Sequence, residues 1–340
     1  MHNGDIIAMM VSCVIINFNG EKLLKTCLDS LLKVDFGPGG KEVIFLDNAS
    51  SDGSVAYVLR HYPQVRVIAN KENSGYAGGA NQAVSVSKGD FILIMNPDIV
   101  FEPDYLKILV KRLEADQGIG AIIGKLRKYD FIHHKKTNFI DSAGLVMYRN
   151  RRCVDRGQGE EDHGQFDHAQ EVFGITGACP LYRRMALEDC KIGGEYFDDS
   201  FFMYKEDVDI AWRMRLFGWK CFYEPAAVGY HGRGTGVVDR STLWEVAKHR
   251  KGLSKFQKYY SYKNERLMRV KNELWGNVAR DFLPIVWKEL LMMGWMIFRE
   301  PFLWKSLGGF LWQLPGAFWK RREIMKRRKA TAQQMGKWFA

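Results

Sequence analysis

Between residues 11 and 124, short apolar runs alternate with segments of helical periodicity, and this alternation predicts the fold class. Residues 11–16, 43–46, 65–69, 91–95 and 119–123 have the length and the Val and Ile content of buried strands. Leu23, Leu24, Cys27, Leu28, Leu31 and Leu32 recur at helical spacing after the first of them, and Pro103 opens another helix that runs through Leu113. Strand, helix, strand in this order requires crossover connections, so a mostly parallel α/β sheet with helices on both faces is expected. Ligands of such sheets bind in the loops that follow the strands.

Residues 125–170 are polar and weakly periodic, and 149–164 hold too little apolar surface for a core. That stretch predicts a loop over a site or an excursion at the sheet edge. Order returns at Val172, in a smaller unit with helices near 184–190 and 207–217. From about Val237 the pattern is helical again, with one apolar cluster at Trp287, Leu290, Leu291, Trp295 and Phe298. A second comprises Leu303, Trp304, Leu307, Phe310, Leu311, Leu314 and Phe318. The uncharged runs 290–298 and 306–319 are shorter than the ~20 residues a membrane span needs, so no transmembrane helix is expected. The apolar run 6–16 has no basic residue ahead of it and no small-residue cleavage site behind it; it reads as a strand with its approach, and no export is expected.

Charge divides the chain. Of its 340 residues, 50 are Lys or Arg and 39 Asp or Glu, a net of +11. Residues 240–340 hold 22 of the basic and 7 of the acidic residues, a net of +15 that leaves −4 for residues 1–239, and they carry eight of the ten Trp. A basic, Trp-rich tail behind a mildly acidic body excludes a general nucleic-acid coat and points to a localised surface contact. Trp settles at headgroup depth and Lys and Arg attract anionic lipid, so residues 237–340 are expected to lie on a membrane surface as amphipathic helices. Lys320, Arg321 and Arg322 with residues 326–329 then contribute ~1 kcal/mol per charge near that surface. The competing arrangement is a helical pair packed on the body with a solvated basic face. Cysteines 13, 27, 153, 179, 190 and 221 form no C-x-x-C pair and read as reduced thiols of a cytosolic protein.

Polar strand ends carry the candidate chemistry. The first strand ends in Asn17-Phe18-Asn19-Gly20, whose amides suit a base or ribose, with Asn19 placed to cap the next helix. The second ends in Asp47-Asn48-Ala49-Ser50-Ser51-Asp52-Gly53-Ser54, a carboxylate able to accept from a nucleobase imide and equally a turn with a helix cap. Asn96-Pro97-Asp98 follows the apolar run 91–95, where a carboxylate suits a divalent ion held against a diphosphate; a plain turn is the alternative. Residues 73–82 place Gly75, Gly78, Gly79 and Asn81 at a helix start without the Lys-Ser/Thr ending of a P-loop. In Lys205-Glu206-Asp207-Val208-Asp209, three acids in four positions exceed what helix capping requires, and one of them suits a general base.

Taken in order, these motifs, with Gly177-Ala178 and residues 202–209, resemble glycosyltransferase family 2, and within it bacterial rhamnosyltransferase-like enzymes of cell-surface polysaccharide synthesis. The resemblance covers residues 11–236 and implies a GT-A fold, a nucleotide-diphospho-sugar donor (dTDP-, UDP- or GDP-linked) and inversion at the anomeric carbon. With the reading of the tail, the expected domains are 1–10 (lead), 11–236 (catalytic, from the resemblance) and 237–340 (basic, Trp-rich, membrane-associating). Carried over, Asp207 is the catalytic base. Asn17, Asp47, Asn48, Gly75, Asn81 and Asp98 bind the nucleotide sugar, and Asp47 among them contacts the base. Gly177 and Glu206 lie on the acceptor side, and Asp98 with His231 holds a divalent cation, Mg or Mn. The motif departs from the family's Asp-x-Asp in keeping one carboxylate. The acceptor implied is a glycan or polyprenol-linked hydroxyl, with no nucleic acid, at the inner face of the cell membrane. A sugar-nucleotide nucleotidyltransferase and a non-catalytic sugar-nucleotide-binding relative are the alternatives.

Overall fold

A computed structural model describes residues 9–233 and 250–340. The boundary expected between 236 and 237, and residues 1–8 of the expected lead, lie outside the described residues.

β1 (Val11–Asn17) is buried at every position and lies between two parallel partners, β2 (Lys41–Asp47) and β4 (Phe91–Met95). β3 (Arg66–Ala69) continues the parallel set beyond β2. The crossovers are α1 (Glu21–Leu31), α2 (Ser54–His61) and α3 (Gly75–Val86); α1 seals one face with Leu24, Cys27, Leu28 and Leu31 from the stripe expected of it.

Beyond β4 the sheet changes sense. β5 (Ile99–Phe101) and α4 (Tyr105–Ala115) lead into the long β6 (Ile119–Asp130), which folds back on β7 (Lys135–Ser142) as an antiparallel pair. The hairpin β8 (Leu145–Met147) and β9 (Cys153–Asp155) occupies part of the stretch expected to be a loop. β10 (Gln170–Val172) and β5 pair antiparallel with β12 (Lys220–His231), and β11 (Leu181–Arg183) is antiparallel to both β4 and β6. The order β10-β12-β6-β11-β4-β1-β2-β3 is therefore mixed, a correction to the mostly parallel sheet expected from the sequence. The strands that reverse its sense, β5, β10 and β11, have three residues each, too few to show a period, and the four-residue turn from β6 to β7 permits only antiparallel pairing. Next to β11 come α5 (Arg184–Cys190) and α6 (Glu206–Leu216).

β12 slips register between Glu224 and Val228, around Pro225, which has no N–H to give a ladder. The slip brings its last residue, His231, opposite Ile99, next to Asp98.

The C-terminal region forms α7 (Lys255–Asn272), α8 (Trp275–Arg280), α9 (Phe282–Phe298), α10 (Trp304–Arg327) and α11 (Ala332–Gly336). It shares the core of the body: Leu267, Met268, Leu274, Ala317, Ile324, Met335 and Phe339 join the main apolar cluster, and Phe339 meets the fully buried Trp212 with ring centroids 5.6 Å apart. Arg151, buried in the β8–β9 turn, pairs with Glu273 and Asp281. Part of the basic run at 320–329, expected to face lipid, pairs with the body, while Arg322, Lys326, Arg328 and Lys329 stay exposed. Lys320 binds Glu195 and Asp198, Arg321 donates to the carbonyls of Val270 and Glu273, and Arg327 reaches Asp189. The acidic body attracts its own basic tail. No helix of the described residues is long and apolar enough to cross a membrane.

Candidate functional site

The first two strand ends are tied to each other. Asn17 donates from Nδ2 to Asp47 Oδ1 (2.8 Å) and Ser50 Oγ (3.1 Å), while Asp47 also accepts from the Ser50 amide and hydroxyl. Both side chains are buried, so Asp47, expected to read a nucleobase, is here an acceptor for the chain's own loop. Asn48 donates to the Gly75 carbonyl and accepts from Asn70 and Ser74, which binds β2 to the start of α3. Asp52 accepts from the Glu21 and Ser54 amides, meeting the N-terminal needs of α1 and α2; Asn19, expected to cap α1, accepts from Ser51 instead.

Gly75 and Asn81 are likewise engaged. At φ +72°, a Cβ on Gly75 would stand 2.2 Å from the Phe202 carbonyl oxygen, which accepts from the Ala77 amide at 3.0 Å. A main-chain oxygen thus occupies the start of α3, beside Gly75, which was expected to bind the nucleotide sugar. The Asn81 amide makes four hydrogen bonds, accepting from the Tyr196 and Phe197 amides and donating to Phe197 O and Asp199 Oδ1. It braces the segment ahead of α6.

A chain of charges runs across the ends of β4, β7, β9 and β12. His231 Nε2 lies 3.4 Å from Asp98 Oδ1, and its Nδ1 lies 2.8 Å from Asp141 Oδ2. Arg233 Nε stands 3.5 Å from the other Asp141 oxygen, and its Nη1 2.8 Å from Asp155 Oδ2. Burial by itself would push the His231 imidazole down, but the carboxylates of Asp98 and Asp141 outweigh it and raise it to about 10. Burial opposes ionisation of Asp98 as well, and the His231 charge more than offsets it, holding that carboxyl below its ordinary value. Asp98 keeps 21 % side-chain exposure, which leaves it open to a ligand.

Asp98 fits a hard divalent cation completed by a substrate diphosphate, since such ions commonly take one or two carboxylates and several non-protein oxygens; His231, protonated between two carboxylates, would join it only on giving up its Nε2 proton. Among the described residues no cluster of three or more His, Cys, Asp or Glu side chains offers a closed cage. Asp141 acts on the far ring nitrogen as orienting carboxylates do behind metal-bound imidazoles, and its buried Oδ1 has no hydrogen-bond partner.

The acidic segment at the start of α6 meets the loop that leads into β11. Asp207 Oδ2 accepts from the Gly177 amide at 3.1 Å; the next residue, Ala178, gives its carbonyl to the Asn96 amide at 2.9 Å, two residues before Asp98. Burial raises the Asp207 carboxyl; Lys205 works against the shift and Asp155 adds to it. Glu206 is also raised, by burial and then by the Asp207 charge, and its Oε2 has no partner. Tyr76 donates to the Gly177 carbonyl at 2.6 Å, fixing the strip between them.

The turn before Asp207 is strained. Phe202, Tyr204 and Lys205 have φ of 61°, 69° and 74°, each costing of order 1–3 kcal/mol. At Phe202, ψ is −63° and the Met203 amide bonds Phe201 O at 2.7 Å, the rare γ-turn of positive φ.

The structure thus joins Asp98 with His231, and Asp207 with Gly177 and Glu206, across adjoining segments, while Asn17, Asp47, Asn48, Gly75 and Asn81 stabilise the loops around them. Sequence reasoning missed Asp141, Asp155 and Arg233. Arg233, two residues beyond His231, was the most legible of the three; nothing local marks the other two.

Residues 12–191 match the family described as "Glycosyl transferase family 2". The chain is 25% identical over 228 residues to the N-acetylglucosaminyl-diphospho-decaprenol L-rhamnosyltransferase of Mycobacterium tuberculosis, covering 62% of this chain and 72% of that protein. Among solved structures, GalNAc-T7 with UDP, GalNAc and Mn²⁺ is similar at a TM-score of 0.57 and 13% identity, over 78% of this chain and 49% of that one. S. aureus TarS residues 1–349 with UDP is similar at 0.52 and 16%, over 93% and 92%. At such identities the two structures speak to the fold.

Proposed function

This chain belongs to glycosyl transferase family 2, and on that premise we propose that it moves a sugar from a nucleotide-diphospho-sugar to an acceptor hydroxyl with inversion, Asp207 serving as general base. The observation that carries the reading is the short path from Asp207 through Gly177 and Ala178 to Asn96 and Asp98, which sets a proton acceptor and a cation-fitting carboxylate on adjoining segments.

The acceptor oxygen forms the new bond to the anomeric carbon as the bond to the diphosphate oxygen breaks, and the electron pair departs with the nucleoside diphosphate. The acceptor proton passes to a carboxylate oxygen of Asp207, whose raised pKa makes it a stronger base than an ordinary aspartate. Hydrogen bonds from the Gly177 and Val208 amides hold that carboxylate in place. A divalent cation at Asp98 would supply positive charge to the departing diphosphate. Asp141 and Arg233 keep the imidazole oriented. The relative from M. tuberculosis suggests a polyprenol-linked acceptor and an L-rhamnosyl donor.

Release of nucleoside diphosphate from UDP-, dTDP- and GDP-linked sugars, with and without Mn²⁺, tests the reading. Turnover that is lost in Asp207→Asn supports it, and full activity in that variant sinks the assigned base.

The outer face of α9 favours a place of work on lipid. Phe282, Leu283, Trp287, Leu290, Met293, Ile297 and Phe298 are exposed, while Lys288 pairs with Glu265, and Glu289 with Arg266 and Arg269, on the side toward α7. A helix with charges inward and Trp, Phe and Leu outward suits a bilayer surface at the inner face of the cell membrane. Exposed Arg299, Lys305 and Arg322 on the same helices and their connection suit anionic headgroups. Co-sedimentation with anionic vesicles tests this, and a protein that stays in solution overturns it.

A further inference from the structure

Asn264 sits in the middle of α7 and is fully buried. Its Nδ2 lies within hydrogen-bond distance of the carbonyls of Phe201 (2.9 Å), Met203 (2.9 Å) and Tyr204 (2.8 Å), so its two hydrogens are shared among three acceptors. The one carbonyl missing from this set, that of Phe202, accepts from Ala77 at the head of α3. Every main-chain oxygen of the strained turn is therefore held by a distant element, and Asn264 holds three of the four. Its own Oδ1 is buried without a partner.

The clamp extends along α7. Lys263 donates to the Ser200 carbonyl at 2.6 Å. Two turns on, Lys271 Nζ bonds Asp209 Oδ2 at 2.9 Å and Asn272 Nδ2 bonds Asp209 Oδ1 at 2.7 Å. Asp207 lies between the two holds, after Tyr204 and before Asp209. The Phe202 ring stacks on Tyr260 of the same helix, with centroids 5.4 Å apart.

We propose that Asn264, on a helix outside the family-matched segment, is a positioning residue for the general base: it keeps the 201–204 turn in the single conformation that presents Asp207 to the acceptor. This rests on the reading of Asp207 as base. Without the amide the three carbonyls turn to water, the positive-φ residues relax, and Asp207 moves away from Gly177. Donor binding changes far less than turnover, since Asn264 itself makes no hydrogen bond to the strand-end residues around Asp98.

The test compares full-length wild type, Asn264→Ala and Asn264→Ser with Leu267→Ala, a core truncation on the same helix. Nucleoside diphosphate release from UDP-, dTDP- and GDP-linked sugars is measured as a function of pH, beside hydrogen exchange of the amides at 201–209. For Asn264→Ala, kcat falls about 100-fold, the order expected of a displacement near 1 Å, while the donor KM stays within about twofold. Asn264→Ser, whose hydroxyl can serve one carbonyl, falls between. The acid limb of kcat shifts to lower pH in both as water reaches Asp207, and exchange at 201–209 quickens about tenfold. Leu267→Ala lowers Tm but leaves kcat and the limb in place. The proposal is overturned if the Asn264 variants retain kcat within about twofold, if the limb stays put, if exchange is unchanged, or if both variants fail to fold while Leu267→Ala folds. If wild type releases no nucleoside diphosphate from any donor, the transferase reading fails first, and the exchange data separately decide whether the clamp exists.

Discussion

Around Asp98, Asp141, His231 and Asp207, charged groups are withdrawn from water and matched to one another; along α9, Phe282, Leu283, Trp287 and Phe298 are left in water while Lys288 and Glu289 turn inward. The strand ends and the helix face invert the usual burial rule in opposite senses. A single exposed leucine or a single paired buried acid would be ordinary, but a whole face of one kind and a five-member charge chain of the other are not. On the proposed function each region meets a different neighbour, the first a phosphate-bearing substrate and the second a lipid surface. α7 lies between them, with Asn264 reaching the base-bearing turn and Glu265, Arg266 and Arg269 facing α9. The contrast teaches that the C-terminal region serves as a structural partner of the site as well as a surface.

The largest effect is expected at the strand ends. Asp207→Asn should lower kcat by about 10³-fold or more, toward the upper end of what a general base contributes, without loss of folded protein. Measured by nucleoside diphosphate release and circular dichroism, an equal loss of both signals would mean that the buried acids hold the fold rather than the chemistry.

Next comes the joint between the two regions. Arg151→Ala leaves Glu273 buried without its guanidinium, while Asp281 keeps Arg149 and Arg280, and should cost about 3 kcal/mol in urea unfolding, the low end for a broken buried pair. A cost near zero would make the C-terminal helices a loosely held appendage.

On the helix face, Leu283→Glu with Trp287→Glu should cut partitioning onto anionic vesicles about 100-fold, since each side chain gains about 1.5–3 kcal/mol on leaving water. Tm should hold, because both residues are already exposed. A lower Tm with unchanged partitioning would assign the face to packing.

The smallest effect is one of stability with pH. Burial and the Asp207 charge raise the Glu206 carboxyl, so the unfolded chain ionises first as pH rises, and stability is lost between the ordinary glutamate range and the raised folded value. Glu206→Gln removes this loss and should raise Tm by a few degrees at neutral pH, with no gain at pH 4. The same logic at Asp207 puts the acid limb of kcat above the ordinary carboxylate range of ~4. A limb at or below that value would contradict the buried base.

Much of the site was legible because its pieces are contiguous. Asn96-Pro97-Asp98 and Glu206-Asp207 each carry their chemistry within a few residues, and both stand where a strand ends or a helix begins. Asn17, Asp47, Asn48, Gly75 and Asn81 were found but not their partners: an amide that binds a ribose and one that binds a neighbouring carbonyl are the same residue in sequence. Asp141 went unseen because only the run of β7 along β6, and of β6 along β12, carries it to His231. The inward turn of Lys320, Arg321 and Arg327 was hidden for a related reason, since a count of charges gives no direction to a side chain.

By itself the sequence determined the positions of the long strands and helices, the ordered motifs of the family and the split between an acidic body and a basic tail. These are local or summed properties, written in the period and type of neighbouring residues. The tertiary structure decided the sense of the short strands, which basic residues are spent inside the protein, and that Asn264 grips the turn before Asp207. Each of these depends on which distant groups meet, because hydrogen bonds and ion pairs are satisfied in space and not along the chain.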